Sequence, residues 1–273
     1  MVRPPERFRL ILFVGFVIFG ILGCNSPQEV DLERGLRFQS QGELREAVAQ
    51  FERAMKRKPG TRQALRAARE SAKILLYDLK NYERTIDVLK FLILYSDNPE
   101  ERWKAQSQIA QIYFDNLAWY DKALVEYSKL LSSNLSKDDQ IRTRLAIARS
   151  YYYLGQFNQS WSEASDLLVE QGVSADQAFD ILLLQANIHL ALKKYAEASK
   201  ALEQILVRFP ERSKKENVGL NLVLCYEELG VYKEAVRVLD GLRSYYEPRE
   251  YIELRLKKIK DRFLNQPKKR LKK

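Results

Sequence analysis

Apolar positions recur along this chain with offsets of three, four and three, the spacing that gathers side chains on one helical face. The set Leu44, Ala47, Phe51, Ala54 returns as Tyr82, Thr85, Leu89, Leu92 and as Tyr120, Ala123, Tyr127, Leu130. It returns again as Phe157, Ser160, Ala164, Leu167, then as Tyr195, Ala198, Leu202, Ile205, and last as Tyr232, Ala235, Leu239, Leu242. The second member is always Ala, Ser or Thr and falls at 47, 85, 123, 160, 198 and 235, in steps of 37 or 38 residues. A close helix crossing needs such a small residue, and the first member, aromatic in five of six copies, supplies a knob for the neighbouring groove.

A partner helix precedes each copy. Its clearest instances are Gly35, Phe38, Gly42; Ala148, Tyr151, Gly155; and Val223, Tyr226, Gly230. The glycine, two residues before the next helix's first knob, suits the left-handed conformation that ends a helix. Pro59 and Pro210, five residues beyond the last column of repeats one and five, stop the second helix there. Repeat three needs one extra residue before Trp119, with Ala110 and Tyr113 as its small and aromatic positions. Repeat two places Lys73 where a small residue is expected.

In these residues the chain resembles the tetratricopeptide repeat (TPR), a helix–turn–helix unit with small, aromatic and proline positions in this order. The resemblance implies an all-α fold, a right-handed superhelical solenoid of about six helix–turn–helix repeats over 32–248, closed by a capping helix at 249–266. It also implies a non-enzymatic protein that binds proteins or peptides, similar to bacterial envelope TPR lipoproteins such as the lipoprotein subunit of the β-barrel assembly machinery and type IV pilus pilotins. In TPR proteins the first helix of each repeat lines the groove. Carried over by position, this gives Gln111, Phe114, Arg142, Leu145, Arg149, Tyr152, Tyr153, Leu183, Asn187, Asn221 and Leu224. Tyr and Arg dominate binding hot spots, so the cluster Arg142, Arg149, Tyr152, Tyr153 is the expected centre; the alternative is that one or two of these tyrosines pack between repeats. Asn187 and Asn221 match two asparagines of a TPR carboxylate clamp, but Leu183 replaces its lysine, so that activity is not expected.

The first residues carry an address. Arg3, Arg7 and Arg9 precede an uncharged run from Leu10 to Leu22, followed by Gly23 and Cys24. This is the pattern of a secretory signal, and the run is short for a permanent span. Ile21-Leu22-Gly23-Cys24 resembles a lipobox, which makes 1–23 a signal peptide, Cys24 the lipidated (palmitate-type) first mature residue and 24–31 a short linker. Asn25, not aspartate, leans towards an outer-membrane anchor facing the periplasm; the alternative is an inner-membrane anchor formed by an uncleaved N-terminal helix.

Composition narrows the chemistry. One His and two Cys among 273 residues leave most metal, haem and Cys/His catalytic schemes without their ligands. His189 falls in the aromatic column of repeat five, and Cys225 lies in an apolar run, so both read as packing residues. No G-x-x-x-x-G-K-[ST] or H-E-x-x-H motif occurs. No catalytic, cofactor or metal residue is assigned. The net charge of +10 is segregated: residues 257–273 hold nine basic residues and one acid, while 24–256 hold 34 of each. A neutral body disfavours nucleic acid, which needs cations along its track. The tail 267–273 reads as a solvated end, or as a contact for anionic headgroups or an acidic partner.

Overall fold

The structure is a computed structural model and describes residues 26–132 and 135–264. Among these residues there are fourteen α-helices, two π-helical turns and no strand. They form two compact units, one ending at Ile112 and one beginning at Tyr113.

The first unit comprises α1 (Pro27–Ser40), α2 (Leu44–Arg57), α3 (Arg62–Lys73), a π-turn (Ile74–Asp78), α4 (Tyr82–Tyr95) and α5 (Pro99–Gln111). Each helix packs on the next. The small columns sit where helices cross: Ala47, Ala54, Ala64, Ala67 and Ala68 have no exposed surface, and Phe51 is equally buried. Gly35 has no room for a larger residue, because a Cβ there would lie 2.5 Å from the Phe51 ring. The helix α1 starts at Pro27, inside the stretch expected as linker, and already buries Gln28 and Asp31.

The second unit comprises α6 (Tyr120–Leu131), α7 (Lys137–Tyr153), α8 (Phe157–Leu168), α9 (Ala175–Ala191), α10 (Tyr195–Arg208), the short α11 (Pro210–Lys215), α12 (Val218–Glu228), α13 (Tyr232–Leu242) and α14 (Arg249–Leu264). Its core runs through three successive clusters. Ile141, Ala164 and Ile181 belong to the first, Phe179, Ala198 and Val218 to the second, and Val223, Ala235 and Ile252 to the third. The expected cap is α14, which lays Ile252, Leu256 and Ile259 on α13 and ties Arg255 to Glu227 at 3.0 Å. Residues 265 and 266 of that expectation lie outside the described residues.

Each helix pair turns in the same way. Gly42, Lys80, Ala118, Gly155, Lys193 and Gly230 all have positive φ, each two residues before a first knob. Three glycines thus fill the role expected of them, and Lys80, Ala118 and Lys193 accept a strained conformation at the same place, at about 1 kcal/mol each. One closing hydrogen bond recurs after this residue. The N–H groups of Glu43, Gln156, Lys194 and Val231 donate to the carbonyls of Phe38, Tyr151, His189 and Tyr226, five residues back, at 2.8–2.9 Å.

In repeats two and three the bond spans six residues. Asn81 donates to Leu75 and Trp119 to Tyr113, both at 2.8 Å. The extra residue is absorbed by the π-turns Ile74–Asp78 and Ile112–Asn116, which widen the helix by one residue before it ends. This corrects the register of repeat two. Its aromatic-column residue is Leu75, so the small position three before it is the buried Ala72, not Lys73.

Candidate functional site

The face proposed from the sequence lies mostly in the second unit. Ser136 caps α7, its hydroxyl accepting from the Asp139 N–H at 3.2 Å, and the helix then runs without a break to Tyr153. Five expected residues ride on it, with different fates. Arg142 is exposed and spent on Asp138 of its own helix, one turn back. Leu145, 5% exposed, belongs to the core with Ile141 and Ile181 and does not line an open surface.

Arg149 is part-exposed and reaches α9, where Nη2 stands 3.2 Å from Asp180 Oδ2. Asp180 also accepts from Arg212 Nη2 at 2.6 Å, and Arg212 covers the Phe179 ring at 4.4 Å. One carboxylate therefore holds two guanidinium groups, fixing Arg149 in place while leaving donors for another acceptor. Tyr152 packs on the α7–α9 core and on Phe157, with ring centroids 5.7 Å apart. It takes the packing role held open for one of these tyrosines.

Tyr153 is the open member, 54% exposed. Its ring stacks on Tyr120 at 4.7 Å and 13° and meets Phe114 edge-on at 5.5 Å. Phe114 in turn meets Tyr120 at 5.3 Å and Tyr127 at 6.5 Å. Burial pushes the Tyr127 phenol up to about 12; Asp115 adds to this and Arg149 opposes it. Tyr127 thus stays protonated beside Arg149. The result is an aromatic patch of Phe114, Tyr120 and Tyr153 close to a fixed arginine, suited to burying an apolar side chain and holding an acceptor beside it.

The remaining expected residues do not join this patch. Asn187 and Asn221 lie half-buried on α9 and α12, as does Leu183 on α9, and Leu224 is 37% exposed. Gln111 is exposed at the end of α5, in the first unit. Cys24 lies outside the described residues. His189 is part of the turn: its carbonyl closes repeat five and its ring lies 4.7 Å from Trp161. Among the described residues, no group of three His, Cys, Asp or Glu is placed to hold a metal ion.

Sequence reasoning missed a cleft of about 720 Å³ in the first unit, walled by α3 with its π-turn and by α5. Leu89 and Leu92 form its floor, Tyr77 stands 68% exposed at its rim, and Arg69 donates twice to Glu101 across it, at 2.6 and 2.9 Å. This bond holds the Glu101 carboxyl below its ordinary range. The signal for this site was the register slip of repeat two, because the same inserted residue makes the π-turn that carries Tyr77.

Comparison with known proteins bears on the repeat itself. Residues 180–212, from α9 into α11, match the family model described as tetratricopeptide repeat. A tetratricopeptide repeat protein from Parabacteroides merdae superposes with a TM-score of 0.58 at 17% identity, covering 86% of this chain and 89% of that one. The fold is of the tetratricopeptide type. PilW, described as a widely conserved type IV pilus biogenesis factor, gives a TM-score of 0.55 at 14% identity, covering 84% of this chain and all of that one. At such identities the TPR likeness is one of fold. No curated protein sequence matches the chain.

Proposed function

We propose that this TPR-type chain is a membrane-anchored scaffold of the bacterial cell envelope that binds a segment of a partner protein on the open face of α7. The carrying observation is the aromatic patch beside Arg149, in which the exposed Tyr153 rests on the half-buried Phe114 and Tyr120 next to a fixed hydrogen-bond donor. The anchor is Cys24, acylated after removal of 1–23, and the outer membrane facing the periplasm is the assigned location. The uncleaved apolar run Leu10–Leu22 is the alternative tether. A dedicated assembly factor for one envelope machine, of the barrel-assembly or pilus kind, is the narrower form of this reading; the fold likeness to PilW favours the pilus version.

Crosslinking in intact membranes, followed by capture of the full chain, tests the scaffold. A defined partner is expected, and the double variant Arg149→Ala with Tyr153→Ala should lose about 2 kcal/mol or more of its affinity while keeping its helical content. Unchanged affinity would remove this face from consideration. Intact mass decides the anchor. A lipidated chain beginning at Cys24 is expected, and Cys24→Ala should leave an unprocessed precursor; an unmodified wild-type chain starting near Met1 would refute lipidation.

A further inference from the structure

The stretch 53–69 contains Arg53, Lys56, Arg57, Lys58, Arg62, Arg66 and Arg69 and no acid. Four of these, Lys56, Arg57, Lys58 and Arg62, fall at the turn between α2 and α3, and all four are exposed. Cations in the last turn of α2 suit the negative end of that helix, but Arg62 opens α3, where the dipole favours an acid and none is present. Local helix electrostatics therefore do not account for the whole cluster.

The same turn is locked to the start of α1. Gln28 Nε2 donates to the carbonyls of Ala54 and Lys58 at 2.8 and 3.0 Å, and its Oε1 accepts from Thr61 Oγ1 at 3.0 Å. Asp31 pairs with Arg57. Between them lies an open cleft of about 600 Å³, lined by Ser26, Pro27, Gln28, Arg57, Lys58 and Thr61 together with Gln63. The nearby acids are Asp31, paired with Arg57, Glu29 in the first turn of α1, and Glu52 and Asp87, which share a second cleft with Lys56 and of which Glu52 is paired with Arg84. The corresponding turn of repeat two is acidic instead, with Asp97, Glu100 and Glu101. The cationic turn is thus the one fixed to the chain's membrane-proximal end.

Ser26, the N-cap of α1, stands two residues after Cys24. Two extended residues span about 7 Å, within the Debye length of about 8 Å at physiological ionic strength. On the anchored reading above, with a lipid on Cys24, the start of α1 and the turn locked to it stay at the headgroup layer. We propose that this cleft, walled on one side by the cationic turn, is a headgroup site for anionic phospholipid, with a lipid phosphate between Arg57 and Lys58 and the exposed Lys56 and Arg62 on the same turn. The site sets how the first repeat sits on the membrane, which a single flexible attachment point would not do.

The full chain, reconstituted in vesicles of phosphatidylcholine alone or with one quarter phosphatidylglycerol, tests this. Flotation reports the anchor. A membrane-impermeant amine-acylating reagent, read by mass spectrometry, reports the turn. Lys56 and Lys58 should be acylated about fivefold more slowly with phosphatidylglycerol present, from the attraction of a cation to an anionic surface. The exposed Lys200 on α10 and Lys233 on α13 should be unchanged. The variant Lys58→Glu with Arg62→Glu should still float but lose the protection of Lys56, and 0.5 M salt should do the same to the wild type. A chain that floats but shows equal labelling in both vesicles overturns the headgroup site and leaves the anchor standing. Failure to float overturns both. Equal protection of all four lysines, or protection that needs added membrane protein, also overturns the proposal.

Discussion

The Cys225 thiol is fully buried among Phe179, Leu202 and Val218, and burial pushes it up to about 11. Almost no thiolate exists at neutral pH, so native protein at pH 8 should resist iodoacetamide, and the same reagent in 6 M guanidinium should modify Cys225 fully within minutes. His189 is the other titratable outlier. Burial holds its imidazole below the ordinary 6.5, with Glu197 opposing and Lys194 assisting, and its Nδ1 is buried without a partner. The unfolded chain then binds a proton that the folded one refuses. Stability should be full above about pH 6.5 and fall as the pH drops through that value towards the lowered one. Urea melts at pH 7.5 and 5.5 should show this loss, and His189→Phe, matching Phe38 in the same column, should reduce it.

At the scale of the helix pair, the small column and the turn carry the fold. Ala198 has no exposed surface, so Ala198→Trp should cost about 1–3 kcal/mol or more through overpacking, while Glu197→Trp on the exposed face should be nearly silent. Equal thermal midpoints would refute the assigned register. The π-turns allow a sharper test. Deleting the exposed Tyr77 returns the Asn81-to-Leu75 closure to the five-residue span used by four other repeats, at a cost under about 1 kcal/mol. Deleting Tyr153, from a repeat with no extra residue, shortens its closure to four and should cost more than about 2 kcal/mol. Calorimetry of the two deletions decides whether the inserted residue is a removable bulge.

Over the whole molecule, the net charge of +10 is carried by the two ends and the body between them is neutral. Residues 24–256 carry equal numbers of acids and bases, so a partner held by the α7 face gains little from long-range steering. Raising salt from 50 to 300 mM should weaken that binding only modestly. Removing 267–273 should leave partner affinity unchanged and lower only membrane association at low salt. If the tail deletion abolishes partner capture and the Arg149/Tyr153 variant does not, the partner binds the basic end instead.

Periodicity alone determined the all-α class, the helix pairs, the small column and the capping helix, because offsets of three and four reveal the buried face of each helix and that face dominates its packing. The left-handed residues at 42, 155 and 230 were legible because glycine marks them; those at 80, 118 and 193 were not, since Lys and Ala leave no sign of positive φ. The π-turns were half-visible, as an extra residue before Trp119 and a misplaced Lys73. Only the backbone hydrogen bonds decided that both are one-residue insertions that leave the small column intact. Tyr152 and Tyr153 are adjacent and chemically alike, so sequence could not separate them. Their bonds diverge by about 100° around α7, turning one onto Phe157 and the other onto Tyr120 and Phe114. Which polar side chains are already spent, Arg142 on Asp138 and Arg149 in part on Asp180, depends on neighbours one turn or one helix away, and only tertiary packing assigns those.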